Sequence, residues 1–331
     1  MKAIRIEKTG GPEVLQYVDV PTPVPGASQA LVKAHTIGVN MPEVLVRSGR
    51  YAWMPPLPAI PGIEMSGMIA ALGPGVEDFH KGDAVYVSAR ELPHRCGCYA
   101  EYIAVDTRAL MAVPPDVDLE SAATLASYQV AWHILNSATR GFEYQSVLVT
   151  AAAGGIGSAA VQLAVASGFR VIALASSTEK AAFARRLGAS VAVAQADPDW
   201  PSRIREATEN RGVDLILDAV AGTRLPGLFE HLAPLGLVIQ YGQLGGLPDS
   251  AAVYEAMRGR MGHSPALRIF SMHTFDDDSN ARRSCTKTLL GLLARGALQP
   301  VIHERIPLAE AARAHELLEG GKVLGKLVLK P

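Results

Sequence analysis

VLVTAAAGGIGSAAVQLAVASG, residues 147–168, decides how this chain is read. Val147 to Thr150 are apolar or β-forming and read as a buried parallel strand. A glycine-rich turn follows, and Ile156 to Ala166 continue at helical spacing. Strand, tight turn and helix in that order suit a dinucleotide pyrophosphate. Glycine lets the backbone approach the phosphates, and the free N–H groups at the helix start meet their negative charge. The spacing Ala151-x-x-Gly154-x-x-Gly157 is a relative of the G-x-G-x-x-G fingerprint, with alanine in the first glycine position. Such turns also occur simply to pack a helix on a sheet, so the flanking pattern has to decide.

That pattern repeats. Arg170 to Ala175, Val191 to Ala194, Asp214 to Asp218 and Leu237 to Tyr241 read as further strands. Helical stretches Ser177 to Leu187, Pro201 to Thr208 and Leu225 to Leu232 separate them. Strands alternating with helices at short spacing predict parallel βαβ units, so residues 126–263 read as a doubly wound α/β domain. Residues 1–125 differ: proline and glycine punctuate short β-type runs such as Gln29 to His35, Gly67 to Leu72 and Tyr99 to Val105, predicting a mostly β domain. A helix over Glu120 to Leu135 bridges the two. In the tail, residues 264–331, a helix (Ala281 to Arg295), a strand, a helix and a last strand (Gly325 to Leu329) are expected to return to the first domain, leaving a cleft for ligands.

Composition narrows the function. The chain has 331 residues and a net charge of −1, with no basic run, which argues against nucleic acid as a partner. No apolar stretch has membrane-spanning length, and the start MKAIRIEKTGG lacks signal-peptide features. Three cysteines fit a reducing cytoplasm rather than a disulfide framework. At the tip of the second strand, Ala175-Ser176-Ser177-Thr178-Glu179-Lys180 carries no acid to hold ribose hydroxyls. Two serines and a lysine there suit a 2′-phosphate, favouring NADPH over NADH, although Ser176-x-x-Glu179 also reads as a capping box.

Further motifs line up along the chain: GVNMPEVLVRSGRY (38–51), LPAIPGIEMSG (57–67), KGDAVY (81–86), GCYAEY (97–102), RGVDLILDAVAG (211–222), APLGLVIQYG (233–242) and IPLAEAARAHELLEGGKVLGKLVL (306–329). With the glycine turn, they make the chain resemble the medium-chain dehydrogenase/reductase superfamily, in its zinc-free quinone oxidoreductase branch, which includes the zeta-crystallins. The resemblance implies a Rossmann domain and a GroES-like catalytic domain. It also implies NADPH-dependent reduction of a quinone or activated alkene, a small hydrophobic electrophile. Zinc-dependent relatives carry Cys where Asn40 stands and His where Ile63 stands, so no metal is expected. The rival cluster His94-Arg95-Cys96-Gly97-Cys98 reads as a surface loop.

Without a metal, the acceptor must activate itself and the protein must donate a hydrogen bond to its developing oxyanion. The resemblance offers Asn40, Tyr51 and Tyr128 for that role; helix capping and packing are the alternatives. It places Ala153, Gly154, Gly155, Ile156 and Gly157 at the pyrophosphate, and Ser176, Ser177 and Lys180 at the adenosine phosphate. A tyrosine frequent after the third strand is replaced by Gln195, and an arginine near the C-terminus is missing, with Lys322 or Lys326 as stand-ins. Ala219 and Val220 approach the adenine or ribose. Tyr241, Gly242 and Gln243 lie under the nicotinamide ribose, Phe270 and Ser271 meet the carboxamide, and Val130 replaces a frequent threonine. Trp53 to Pro56 and a Gly245 to Met261 loop are expected to shape the acceptor pocket. Arg258, Arg260 and Arg268 leave an enoyl-thioester reductase open as a second reading, and a non-catalytic NADPH-binding protein as a third. A homodimer through Leu237 to Tyr241 and its neighbouring strand is also expected.

Overall fold

A computed structural model describes residues 1–92 and 94–331, which divide into two units, Met1–Gln129 with Asp276–Pro331, and Val130–Phe275. In the first unit β1 (Lys2–Arg5) and β2 (Gln16–Asp19) form an antiparallel ribbon. β3 (Gln29–Val39) leads directly into α1 (Met41–Arg47). β4 (Glu64–Leu72), β5 (Ala84–Ser88), β6 (Tyr102–Asp106) and β7 (Leu110–Ala112) follow, then the short α2 (Leu119–Ala122) and α3 (Leu125–Asn136).

The second unit alternates strand and helix. β8 (Ser146–Thr150), α4 (Gly155–Ala166), β9 (Arg170–Ala175), α5 (Thr178–Arg186), β10 (Val191–Ala194) and α6 (Trp200–Ala207) come first. β11 (Val213–Asp218), α7 (Leu225–Leu228), β12 (Leu232–Gln240), α8 (Ser250–Gly259) and β13 (Ala266–Ile269) complete it. All six strands are parallel, in the order β10-β9-β8-β11-β12-β13. This is the doubly wound Rossmann sheet, and the order reverses beside β8, where such folds bind their ligands. Every residue of β8 is buried, as a central strand covered on both faces requires. Leu148, Ile172, Leu174, Ile216, Val238 and Phe229 share the core beneath it.

The chain then returns to the first unit with α9 (Ser279–Ala294), β14 (Ile302–Pro307), α10 (Ala311–Glu319) and β15 (Lys326–Lys330). β15 pairs antiparallel with β3, giving the sheet order β14-β15-β3-β4-β5-β7 with β6 also on β3. Its apolar residues Ile37, Met65, Ile69, Val85, Leu110 and Leu329 form a GroES-like β core.

Several elements differ from their sequence reading. The bridging helix is broken at Ala123 and Thr124, where the Thr124 hydroxyl bonds the Ser121 carbonyl instead of continuing the ladder. Gly245 to Met261 is not a loop, because Asp249 caps α8 by accepting from Ala251 and Ala252. Strand β13 went unseen, since three of its four residues are only half buried, the fourth, Ile269, is exposed, and they carry no clear alternation. β13 therefore forms the sheet edge, and β12, expected there, lies inside it between β11 and β13. Among the described residues no helix is long and apolar enough to cross a membrane.

Helix α4 leaves β8 through a turn with no spare room. A Cβ on Gly157 would lie 2.2 Å from the Ala151 carbonyl oxygen, whereas one on Gly227 in α7 would meet open space. Gly157→Ala is expected to lower stability by about 1–3 kcal/mol through overpacking. Gly227→Ala is expected to be neutral or stabilising by up to about 1 kcal/mol. Thermal unfolding followed by circular dichroism reads both, and equal melting temperatures for the two variants would refute this account of the turn.

Candidate functional site

In the second unit the site begins with the tips of three parallel strands. Ala151 takes the left-handed conformation (φ 47°) that the fingerprint's first glycine usually supplies, and its carbonyl accepts from the Gly154 N–H at 2.9 Å. The first N–H groups of α4 have no acceptor within the helix and stand ready for an anion. Gly154, Gly155 and Ile156 are half-buried there, and Ala153 and Gly157 are buried. The cradle that a Cβ at Gly157 would fill fits a pyrophosphate, which needs the backbone itself close by.

Two residues that the sequence reading passed over fix these tips. Thr150, at the end of β8, donates its hydroxyl to Asp218 Oδ1 at 2.8 Å and accepts from the Ala219 N–H at 3.0 Å. Asp218 also accepts from Val220 N (3.1 Å) and Ala221 N (2.8 Å), so one buried carboxylate sets the turn that carries Ala219 and Val220. The acid closing the buried run DLILD was the signal, since a buried carboxylate needs donors. Gly242 packs against this turn: a Cβ on it would lie 2.6 Å from the Ala219 oxygen. Tyr241 is half-buried, and its hydroxyl has no partner among the described residues; burial pushes the phenol well above its ordinary range. Gln243 and Ser271 are exposed, Phe270 is buried, and Val130 is half-buried.

At the tip of β9 the roles of the serines separate. Ser177, not Ser176, caps α5 by accepting from the Lys180 N–H at 3.3 Å, because the helix starts one residue later than a Ser176 cap requires. The exposed Ser176 hydroxyl is left to accept from Lys180 Nζ at 3.1 Å. Two basic residues proposed for an enoyl-thioester entrance lie elsewhere. Arg260 donates to the Leu232 carbonyl at the start of β12, and the Arg268 guanidinium lies over the Phe142 ring.

In the first unit Asn40 sits at the N-cap of α1 but its side chain caps nothing. Instead Lys326 Nζ donates to Asn40 Oδ1 at 2.5 Å, and Asn40 Nδ2 donates to Glu64 Oε1 at 3.0 Å. Lys326 also donates to Glu64 Oε1 and to the Val39 carbonyl, both at 3.1 Å. With side chains 5% and 0% exposed, Lys326 and Glu64 form a buried ion pair. Lys326 is therefore not available as a phosphate ligand: its ammonium is consumed by a carboxylate within the first unit. An ammonium can only donate, so it fixes the amide with oxygen towards Lys326 and nitrogen towards Glu64. The second Nδ2 hydrogen has no partner among the described residues. Helix α1 is held in place by Arg47, whose Nη2 donates to Glu319 at 2.7 Å.

Tyr51 is half-buried beside Trp53, with ring centroids 5.7 Å apart, and Tyr128 is buried on α3. Burial pushes the Tyr51 phenol up, against the pull of Arg90 and Arg95. Those two guanidiniums converge on Asp276 at 3.3 and 2.7 Å. At the two positions compared with zinc ligands above, Asn40 faces an ammonium, and Ile63 donates its backbone N–H to Glu43 Oε1 at 3.1 Å while its carbonyl accepts from the Ala89 N–H at 2.8 Å. The Asn40 oxygen is thus engaged by a cation of the chain itself, and the Ile63 side chain carries no donor atom for a metal. Among the described residues no three His, Cys, Asp or Glu side chains converge, the 94–98 stretch included.

Glu43 is a buried acid the sequence reading missed; its burial pushes the carboxyl from 4.5 up to about 8. Between those values the folded chain holds a proton that the unfolded chain has released. Stability from this group therefore falls as pH rises through about 4.5 to 8. Glu43→Gln keeps an acceptor for the Ile63 N–H and has no proton to lose. Urea unfolding is expected to show it close to the parent near pH 5 and more stable by on the order of a few kcal/mol near pH 8.5. A constant difference across that range would rule out a protonated Glu43.

Residues 26–115 match the alcohol dehydrogenase GroES-like domain family, and residues 155–263 match the zinc-binding dehydrogenase family. Quinone oxidoreductase of Rattus norvegicus is 31% identical over 332 residues, covering 99% of this chain and 97% of that protein. A 2-haloacrylate reductase of a Burkholderia species is 30% identical, with 98% of each chain covered. The crystal structure of Escherichia coli quinone oxidoreductase complexed with NADPH superposes at a TM-score of 0.88 and 26% identity, with 100% of both chains covered. The chain belongs to the medium-chain dehydrogenase/reductase superfamily, in its quinone oxidoreductase branch.

Proposed function

We propose that this oxidoreductase reduces a quinone or an activated alkene with NADPH, by direct hydride transfer and without a metal. The observation that carries the reading is the Asn40 amide, held in one orientation by Lys326 and Glu64 with an N–H to spare. When bound, NADPH supplies a hydride from its nicotinamide C4. The α4 N-terminus and the Gly154–Gly157 turn hold the pyrophosphate, with Ala219, Val220, Tyr241, Gly242, Gln243, Phe270, Ser271 and Val130 along the nucleoside portions. Asn40 donates to the acceptor oxygen as charge develops on it, and Tyr51 is the second donor, with Tyr128 supporting α3 from within. The quinone oxidoreductase and NADPH-complexed relatives support this assignment.

A second reading concerns the acceptor. Arg90 and Arg95 share one carboxylate, Asp276, and Arg282 is neutralised by a bidentate pair with Glu91 at 2.7 and 2.8 Å. Arg90 and Arg95 lie close enough to Tyr51 to pull on its phenol, and guanidiniums there favour an alkene bearing a carboxylate, in line with the 2-haloacrylate reductase among the relatives.

The test is NADPH oxidation at the nicotinamide absorbance, in the presence of a chelator, with quinones, enones, 2-chloroacrylate and crotonyl thioesters as acceptors. Turnover with chelator present is expected; tight NADPH binding without any turnover would return the weight to a binding role. Asn40→Ala is expected to lower kcat/KM by about 100- to 1000-fold, as loss of one oxyanion donor does elsewhere, with NADPH affinity nearly unchanged. We also propose a homodimer through the β13 edge, where Ile269 is 74% exposed, with Leu235 (71%) and Met261 (72%) on the same unit. Light scattering should give the mass of two chains, and a monomer at micromolar concentration would exclude it.

A further inference from the structure

Three strand ends of the second unit meet beside Ser176. In the register of the sheet Ala194 lies opposite Ala175, and the Gln195 N–H donates to the Ala175 carbonyl at 2.7 Å. Gln195 at the end of β10 and Ser176 at the end of β9 are thus neighbours. The segment after β11 then turns towards them. Asp218 holds the Ala221 N–H, and Ala221 and Gly222 both have positive φ (54° and 57°) in the turn that leads to Arg224. Arg224 Nη1 donates to Gln195 Oε1. On the other side of Ser176 stands Lys180, bonded to its hydroxyl.

We infer that Arg224 is a ligand of the adenosine 2′-phosphate and a determinant of NADPH over NADH, held in position by Gln195. The inference rests on the NADPH reading above. Arg224 is exposed, and the one partner it has among the described residues is a neutral amide oxygen, so its charge is uncompensated. The carboxylate two residues past Gln195, Asp197, is already paired with Arg203 at 2.9 Å. Asp218, behind the turn, is buried and spent on backbone N–H groups, and Glu179 stands in the first turn of α5, the helix that carries Lys180. A dianion between a guanidinium and an ammonium, with the Ser176 hydroxyl beside it, has donors on both flanks; a ribose hydroxyl in the same place would leave the Arg224 guanidinium without a counter-charge. Charge-assisted, fork-shaped donation to phosphate oxygens is what a guanidinium does well. The sequence reading looked for this cation near the C-terminus, whereas the fold supplies it from the turn after β11.

The experiment is calorimetric titration with 2′,5′-ADP and, separately, with 5′-ADP, neither of which needs an acceptor or turnover. The unaltered chain is expected to bind 2′,5′-ADP more tightly. Arg224→Ala is expected to weaken 2′,5′-ADP by about 10- to 100-fold and leave 5′-ADP within about 2-fold, the size of a lost hydrogen bond to a charged group. Arg224→Lys should recover part of the loss, and Gln195→Ala should reproduce part of it through a less fixed guanidinium. Equal weakening of both nucleotides, or unchanged affinity for 2′,5′-ADP, would overturn the role of Arg224 while the NADPH reading stood. Equal binding of both nucleotides by the unaltered chain would overturn the NADPH reading and this inference with it.

Discussion

One carboxylate holds the first unit's functional corner together. Glu64 is wholly buried, and it accepts from Lys326 on β15, from Asn40 at the head of α1, and from the Ala126 N–H of α3 at 2.6 Å. Four elements far apart in sequence therefore meet at one charge. Room for it exists because residue 38 is glycine: a Cβ there would lie 2.4 Å from Glu64 Oε1 and 2.4 Å from the Ala123 oxygen. Removing one partner from such a buried pair typically costs about 3–5 kcal/mol, because the other charge is left without water or counterion. The pair's contribution lies in geometry more than in net stability, since apolar residues of the same shape would pack as well.

The second unit uses a buried carboxylate differently. Asp218 meets no cation; its acceptors are filled by a hydroxyl and by backbone N–H groups of the turn it shapes. Glu64 orients a side chain, and Asp218 orients a main chain. The difference suits what each unit must present. A pyrophosphate is recognised by backbone N–H groups, so the turn has to be fixed. Under the proposed function, an acceptor oxygen calls instead for directed side-chain donors.

Alternation of apolar runs with helical spacing made the Rossmann sheet legible almost strand by strand, because buried parallel strands are nearly continuous in their hydrophobicity. β13 was not legible: an edge strand of four residues, none of them buried, owes its place to pairing with β12, which no local pattern records. The glycine turn could be read directly, since its chemistry is contained in contiguous residues. Glu43, Glu64 and Thr150 could not be read in their roles, because each acts through partners distant in sequence, such as the 262-residue separation between Glu64 and Lys326. Lys326 shows the risk most clearly. As a lone lysine near the C-terminus it resembled a phosphate ligand, and only the pairing of β15 with β3 reveals the carboxylate that consumes its charge. The serines at β9 show the same limit at shorter range, where a one-residue difference in helix start exchanged the roles of Ser176 and Ser177.

Under the proposed reaction, the Asn40 amide gains from both of its neighbours at once. With its oxygen towards Lys326 and its nitrogen towards Glu64, the amide dipole lies along the field of the ion pair. Rotating the amide by half a turn would set carbonyl against carboxylate and N–H against ammonium, two repulsions in a site with little water to screen them. The orientation is therefore set before any acceptor arrives. Polarisation also acts in the useful direction, since drawing electron density towards the oxygen makes the remaining N–H a stronger donor. Zinc-dependent relatives stabilise a developing oxyanion by direct ligation to a metal. Here a lysine charge acts one bond network removed, through an amide that cannot turn away. On the proposed reading that arrangement suits an acceptor able to spread its own charge, as a quinone or an enone does, because a polarised amide offers far less than a metal ion.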